Sequence, residues 1–152
     1  MMQDKIQQDN DLLFDGSVWC NLDVALRSVD QALRRRIRPS ELTVIEWYIL
    51  RALYEEDGRH ASELARAVGR AATSFTPNLD KLQSKDYIER RPDAADRRAV
   101  RIFLTQKGHD AREEVLENAV KVDREMRELF DAGEFAGFET VVRGLQILDN
   151  LG

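Results

Sequence analysis

Asp96, Arg97 and Arg98 stand between two short segments that read as β-strands. Adjacent arginines beside a carboxylate suit insertion of a guanidinium into a narrow groove of strongly negative potential. The aspartate would hold the arginine extended through paired hydrogen bonds. The minor groove of DNA is such a groove. A solvated turn is built from the same residue types, so the surrounding elements decide between the two.

Other chemistries find less support. His60 and His109 lie far apart with no cysteine or histidine cluster around them, so surface or capping roles are expected and a metal site is not. The chain has no carboxylate pair in a plausible cleft, no nucleophile beside a base and no glycine-rich phosphate loop. An enzyme is the least supported class, and no cofactor is implied. The single cysteine, Cys20, excludes an intramolecular disulfide and fits a reducing cytoplasm. Its neighbours in sequence are Trp19, Asp15 and Asp23, with Arg27 two turns away. A reactive thiolate needs cationic neighbours, so an inert, packed cysteine is expected.

A chain of 152 residues is read as one domain able to bury a sizeable core. No apolar run approaches the roughly 18 residues of a membrane span, and the start shows no apolar signal core. A cytoplasmic protein is expected. The net charge of −5 argues against nucleic acid, but the charge is divided. Lys85 to Lys107 holds seven basic and four acidic residues, whereas Glu113 to Asp149 holds four basic and ten acidic. Screening keeps such a field local, so a basic patch on an acidic protein can still meet phosphates.

The elements that would position the arginines follow from periodicity. Val18, Leu22, Ala25, Val29, Leu33 and Ile37 stripe a long first helix from about Asn10 to Ile37. Arg34, Arg35, Arg36 and Arg38 favour its C-terminal dipole, and Pro39 stops it. Thr43 and Glu46 form a capping box for a second helix that turns Ile45, Tyr48, Ile49, Ala52 and Leu53 inward and ends at Gly58. A third helix runs from Ala61 to Val68, with Leu64, Ala65 and Val68 inward and Gly69 in the turn. The fourth, Ala72 to Lys85, buries Phe75, Leu79 and Leu82. It presents Ser74, Asn78, Lys81 and Lys85 on a polar, basic face suited to a major groove. Tyr87–Arg90 and Val100–Leu104 form a hairpin, with Val100, Ile102 and Leu104 inward. Its tip, including Pro92, Asp93, Asp96, Arg97 and Arg98, is read as a loop that cannot pack. Thr105 caps a helix to about Phe130, and a last helix spans about Glu134 to Leu151 with Phe138, Val141, Leu145 and Leu148 in its stripe. The fold class is mainly α with a small β-hairpin wing: a winged helix-turn-helix core with striped helices at both ends.

Leu42-Thr43, Ser62-Glu63-Leu64-Ala65 with Gly69, Leu79-Asp80-Lys81-Leu82 and Tyr87-Ile88-Glu89-Arg90-Arg91 carry a family likeness. The most specific block is Asp96-Arg97-Arg98 with Val100, Ile102 and Leu104-Thr105-Gln106-Lys107-Gly108. Over about residues 40 to 110 the chain resembles the MarR family of bacterial transcriptional regulators. The resemblance implies a homodimer in which residues 10–38 and 109–151 supply dimerisation helices and residues 40–108 the DNA-binding lobe. Each lobe would read half of a pseudopalindromic operator in double-stranded DNA. By position, Thr73, Ser74, Thr76 and Asn78 would lie nearest the bases, with Lys81 and Arg97 also on the DNA, Arg98 in the minor groove and Asp96 orienting it. A repressor released by a small aromatic or anionic effector is the common outcome. Trp19, Trp47 and Tyr48 are candidate pocket walls, although core packing explains them too, and Arg27 is a candidate counter-charge.

One departure is Pro77, inside the recognition helix where the family usually has a residue with a backbone N–H, often arginine. Either the helix kinks or it begins at Thr76. Two alternatives stay open: a winged-helix module for protein–protein contact, and an oxidant-sensing regulator using Cys20.

Overall fold

In the computed structural model, residues 12–69 and 72–148 are described, apart from the side chains of residues 72–74. The first helix, α1, spans Val18–Ile37. It starts at Val18, the first residue of the apolar stripe, and so later than the expected bound. Phe14–Gly16 forms a separate 3-10 turn, and Phe14, Asp15 and Gly16 all have positive φ, which an α-helix cannot accommodate. The Asn21 side chain ties that turn down by accepting from Leu13 N at 2.8 Å and donating to Leu13 O at 2.9 Å. The expected start near Asn10 lies outside the described residues.

Helix α2 spans Val44–Glu55. The capping box is present: Glu46 N donates to Thr43 Oγ1 at 3.3 Å, and Thr43 N to a Glu46 carboxylate oxygen at 2.8 Å. Ile49, Ala52 and Leu53 are buried as expected, together with Val44, Trp47 and Leu50, but Tyr48 is 38% exposed. Helix α2 is apolar over more of its circumference than one stripe requires, so the pattern alone did not locate its outer face. It ends at Glu55, and Gly58 lies beyond, in a turn with φ +76°.

A two-residue strand, β1 (Arg59–His60), comes next, then α3 (Ala61–Ala67). Leu64 and Ala65 are buried, Val68 is half-buried, and Gly69 makes the turn with φ +65°. Helix α4 spans Ala72–Ser84 and buries Phe75, Leu79 and Leu82 as expected. It runs through Pro77 rather than starting at Thr76.

Strands β2 (Ile88–Pro92) and β3 (Val100–Leu104) form the hairpin, with Ile88 facing Leu104 and Pro92 facing Val100. The sheet has a third member: β1 pairs antiparallel with the other side of β3, giving the order β1-β3-β2. A two-residue strand carries no readable period, which is why the sequence showed only a hairpin. Ile102 and Leu104 are buried, but Val100 is 41% exposed because it sits at the tip end of the ladder.

Beyond the sheet the expected single helix is interrupted. Thr105 caps a short α5 (Gln106–Asp110), and after Ala111 α6 runs from Arg112 to Arg127 rather than to Phe130. Asp131 caps α7 (Ala132–Gln146), accepting from Gly133 N and Glu134 N at 2.8 and 2.9 Å. Helix α7 starts earlier than Glu134 and ends before Leu151, which lies outside the described residues.

The chain forms two compact units. One holds residues 23–119 and the other residues 1–22 with 120–152. In the first, α3 and α4 pack on each other and on α2, α4 packs on β2, and α5 packs on β3. In the second, Val18, Trp19, Val120, Phe138 and Val141 are 48–81% exposed.

Candidate nucleic-acid interface

The arginine tip is built on a buried aspartate. Asp93, expected in an unpacked loop, is only 6% exposed. Its Oδ1 accepts from Ala95 N at 2.7 Å and Asp96 N at 3.3 Å. Its Oδ2 accepts from Arg101 Nε at 2.5 Å and from His60 Nε2 at 2.7 Å. A carboxylate only accepts, so Nε2 carries the proton in that bond. Arg101 reaches back to Gly58 O at 2.8 Å. The backbone N–H of Ala95, then Arg101 and His60, and last the backbone N–H of Asp96 hold the Asp93 carboxyl well below the usual carboxylate range. The sequence does not show this burial, because its side-chain partners come from β1 and β3, on either side of it in sequence.

The rest of the tip closes on itself. Asp93 N donates to Ala99 O at 3.0 Å and Ala99 N to Asp96 O at 2.9 Å. Asp96 Oδ1 accepts from the backbone N–H of Arg98 at 2.9 Å. Asp96 therefore sets the main chain of Arg98, instead of gripping its guanidinium as the sequence suggested. Asp96, Arg97 and Arg98 are all exposed. The loop delivers two arginine side chains to solvent from a framework that is already formed.

Helix α4 turns Thr76, Pro77, Asp80 and Lys81 outward, while Asn78 is half-buried. Thr73 and Ser74 have side chains outside the described residues. Asp80 is engaged: with Gln83 it holds Arg90 of β2, at 2.6 and 2.5 Å. That pairing cancels an acidic charge on the outer face and ties α4 to the wing. Lys85 does not belong to that face. Its Nζ donates to Glu46 Oε2 at 2.7 Å and to Glu41 O at 2.8 Å, pinning the end of α4 to the start of α2. Glu46 is fully buried, a position that a capping box alone does not require.

Two further contacts seat the hairpin. Arg91 stacks over the Phe103 ring at 4.6 Å, and Lys107 over Tyr87 at 4.5 Å while donating to Lys85 O. Tyr54 donates to Gly108 O at 2.9 Å, and burial, then Tyr87, pushes its hydroxyl pKa up to about 12.

The candidate effector residues do not share one environment. Trp19 is 81% exposed, and Arg27 pairs with Asp23 at 2.7 Å on the surface of α1. Trp47 is 3% exposed, with Tyr48 edge-on at 5.4 Å and Arg51 over its ring at 5.0 Å. Its indole N–H is buried without a partner among the described residues. Cys20 is half-buried. His60 precedes α3, and its N–H is capped by Glu63 at 2.9 Å. Among the described residues no cluster of three His, Cys, Asp or Glu is placed to hold a metal, and no helix is long and apolar enough to cross a membrane.

A helix-turn-helix followed by a sheet with an arginine-bearing tip defines a winged-helix nucleic-acid-binding protein. The MarR family model matches residues 40–99. The chain is 33% identical over 110 residues, 72% of either chain, to the uncharacterized HTH-type transcriptional regulator YsmB of Bacillus subtilis. Among solved structures, the transcriptional repressor CouR bound to a 23-mer DNA duplex matches with a TM-score of 0.80 at 20% identity, covering 91% of this chain and 99% of that one. BpsR of Bordetella bronchiseptica, whose DNA binding is regulated by 6-hydroxynicotinic acid, matches with a TM-score of 0.81 at 20% identity, covering 90% and 98%. The chain belongs to the MarR family of DNA-binding transcriptional regulators.

Proposed function

We propose that the protein is a homodimeric, sequence-specific repressor that holds a pseudopalindromic operator and releases it when a small aromatic or anionic effector binds. The wing carries this reading: Arg97 and Arg98 are exposed on a loop whose backbone is locked by the buried Asp93. A preformed loop spends little ordering entropy on binding. Arg98 enters the minor groove, Arg97 approaches the backbone phosphates, and Asp96 sets the Arg98 main chain. Helix α4 lies in the major groove with Thr73, Ser74, Thr76, Asn78 and Lys81 toward the DNA.

Dimerisation rests on the large apolar side chains exposed along the terminal helices of the single chain. In this reading residues 10–38 and 109–151 make the dimer base and residues 40–108 the DNA-binding lobe. Repression and effector release are carried over from likeness to CouR and BpsR. The indole N–H of Trp47, buried without a partner among the described residues, is a donor that an anionic ligand would satisfy, with the Tyr48 ring beside it.

The test is binding of the purified protein to its own upstream region and to a random fragment over a salt series, with Arg98→Ala in parallel. Tight, salt-dependent, selective binding that weakens in the variant by roughly 1–3 kcal/mol supports the reading. Equal weak binding to both fragments, unchanged by the substitution, overturns the wing assignment. If DNA selection from a genomic library also finds no site, the protein-contact reading takes its place.

A further inference from the structure

The outer face of α4 has a residue at its crest that neither donates nor accepts through its side chain. At about 100° per residue, Pro77 lies about 160° around the helix from both Phe75 and Leu79. Those two side chains are 2% exposed and face the core, so Pro77 points most directly away from it. Thr76 and Asn78 each lie about 100° to one side, and Lys81 only about 40° away. Pro77 and Thr76 are exposed. Asp80, also near the crest, is held by Arg90 at 2.6 Å.

If α4 enters a major groove by its outer face, the residue meeting the base edges first is Pro77. The inference rests on that reading of the proposed function. A pyrrolidine ring cannot read the donors and acceptors of guanine, cytosine or adenine. The one apolar feature a base pair shows in the major groove is the thymine C5-methyl. The ring is also fixed, so it gives up no rotamer freedom on contact. We propose that Pro77, with the methyl of Thr76 beside it, is a specificity-determining residue that selects thymine at the centre of each half-site by apolar contact with its C5-methyl.

The experiment uses the full chain. Selection from a random duplex library first gives the preferred site. Each thymine of one half-site is then replaced singly by deoxyuridine, which removes the methyl and nothing else. Binding is measured for the wild type and for Pro77→Ser, which regains the backbone N–H and loses the ring. One central thymine should respond: losing its methyl should weaken the wild type roughly fourfold, the factor carried by one buried methyl-sized group. The same replacement should have little effect on Pro77→Ser, whose selected site should no longer demand thymine there. An enriched site at which every deoxyuridine is neutral for the wild type overturns this inference alone. So does an equal loss in both proteins. A selection that enriches no sequence overturns the sequence-specific regulator reading, and this inference with it.

Discussion

At the scale of single residues the wing depends on Asp93. Its pKa in the folded protein lies below the ordinary 3.8, chiefly because the Ala95 backbone N–H and Arg101 bond to the carboxylate. A carboxylate with a lowered folded pKa adds stability above its unfolded value, and that stability is lost as pH falls. Asp93→Asn should therefore melt below the wild type near neutral pH, with the gap closing as pH falls below about 4. Thermal melts across that range check the sign. A gap independent of pH would mean that Asp93 acts by shape alone. Lys85 and Glu46 make the second test. The Glu46 side chain is 0% exposed, and Lys85 is its only charged partner among the described ion pairs. Lys85→Met should cost on the order of 3 kcal/mol in urea unfolding, because it leaves a buried carboxylate unpaired. Adding Glu46→Gln should return part of that loss.

At the scale of elements, α4 and the hairpin are each adjusted at one position. Pro77 sits inside α4 and cannot donate to the Thr73 carbonyl four residues back. Pro77→Ala should raise stability by about 1–3 kcal/mol by restoring that bond and a better helix former. An unchanged midpoint in urea would place the start of the helix at Thr76 in solution. At the far end of the hairpin, α5 approaches so closely that a Cβ on Gly108 would lie 2.3 Å from the Tyr87 carbonyl oxygen. That oxygen is already accepting from Thr105 N at 3.1 Å. Gly108→Ala should push α5 off the sheet and destabilise by roughly 1–3 kcal/mol, as overpacking does. The sequence showed both residues without their consequences. Proline was legible as a helix problem, but whether the helix runs through it depends on Phe75, Leu79 and Leu82 being buried on the opposite face. Gly108 read only as part of a family block.

At the scale of the molecule, charge and exposed apolar surface bear on assembly and binding. The segment from Lys85 to Lys107 that builds the wing holds more basic than acidic residues on a chain of net charge −5, so affinity for DNA should fall steeply with salt through phosphate contacts. Val141 and Val120 are 56% and 62% exposed on the terminal helices. If those helices form the dimer base, Val141→Asp should shift sedimentation from dimer to monomer and lower operator affinity, while the far-ultraviolet spectrum keeps its helical shape. A wild type that sediments as a monomer at micromolar concentration would remove the dimer from the proposal.

The sequence by itself determined the main helices, the hairpin and so the winged helix-turn-helix, because periodic stripes, caps and turn glycines act over a few residues and are written locally; its motifs carried the family likeness, while β1 and the break at Ala111 were not legible in it. It also located Arg97 and Arg98 at an exposed tip. Only the tertiary structure decided what holds that tip. Asp93 is fastened by Arg101 and by His60, which lies on a strand too short to show a period. Lys85, which looks like a surface cation, is drawn to Glu46 across 39 positions. Contacts between residues distant in sequence leave no periodic trace in it, since their pairing is set by where the core places the elements.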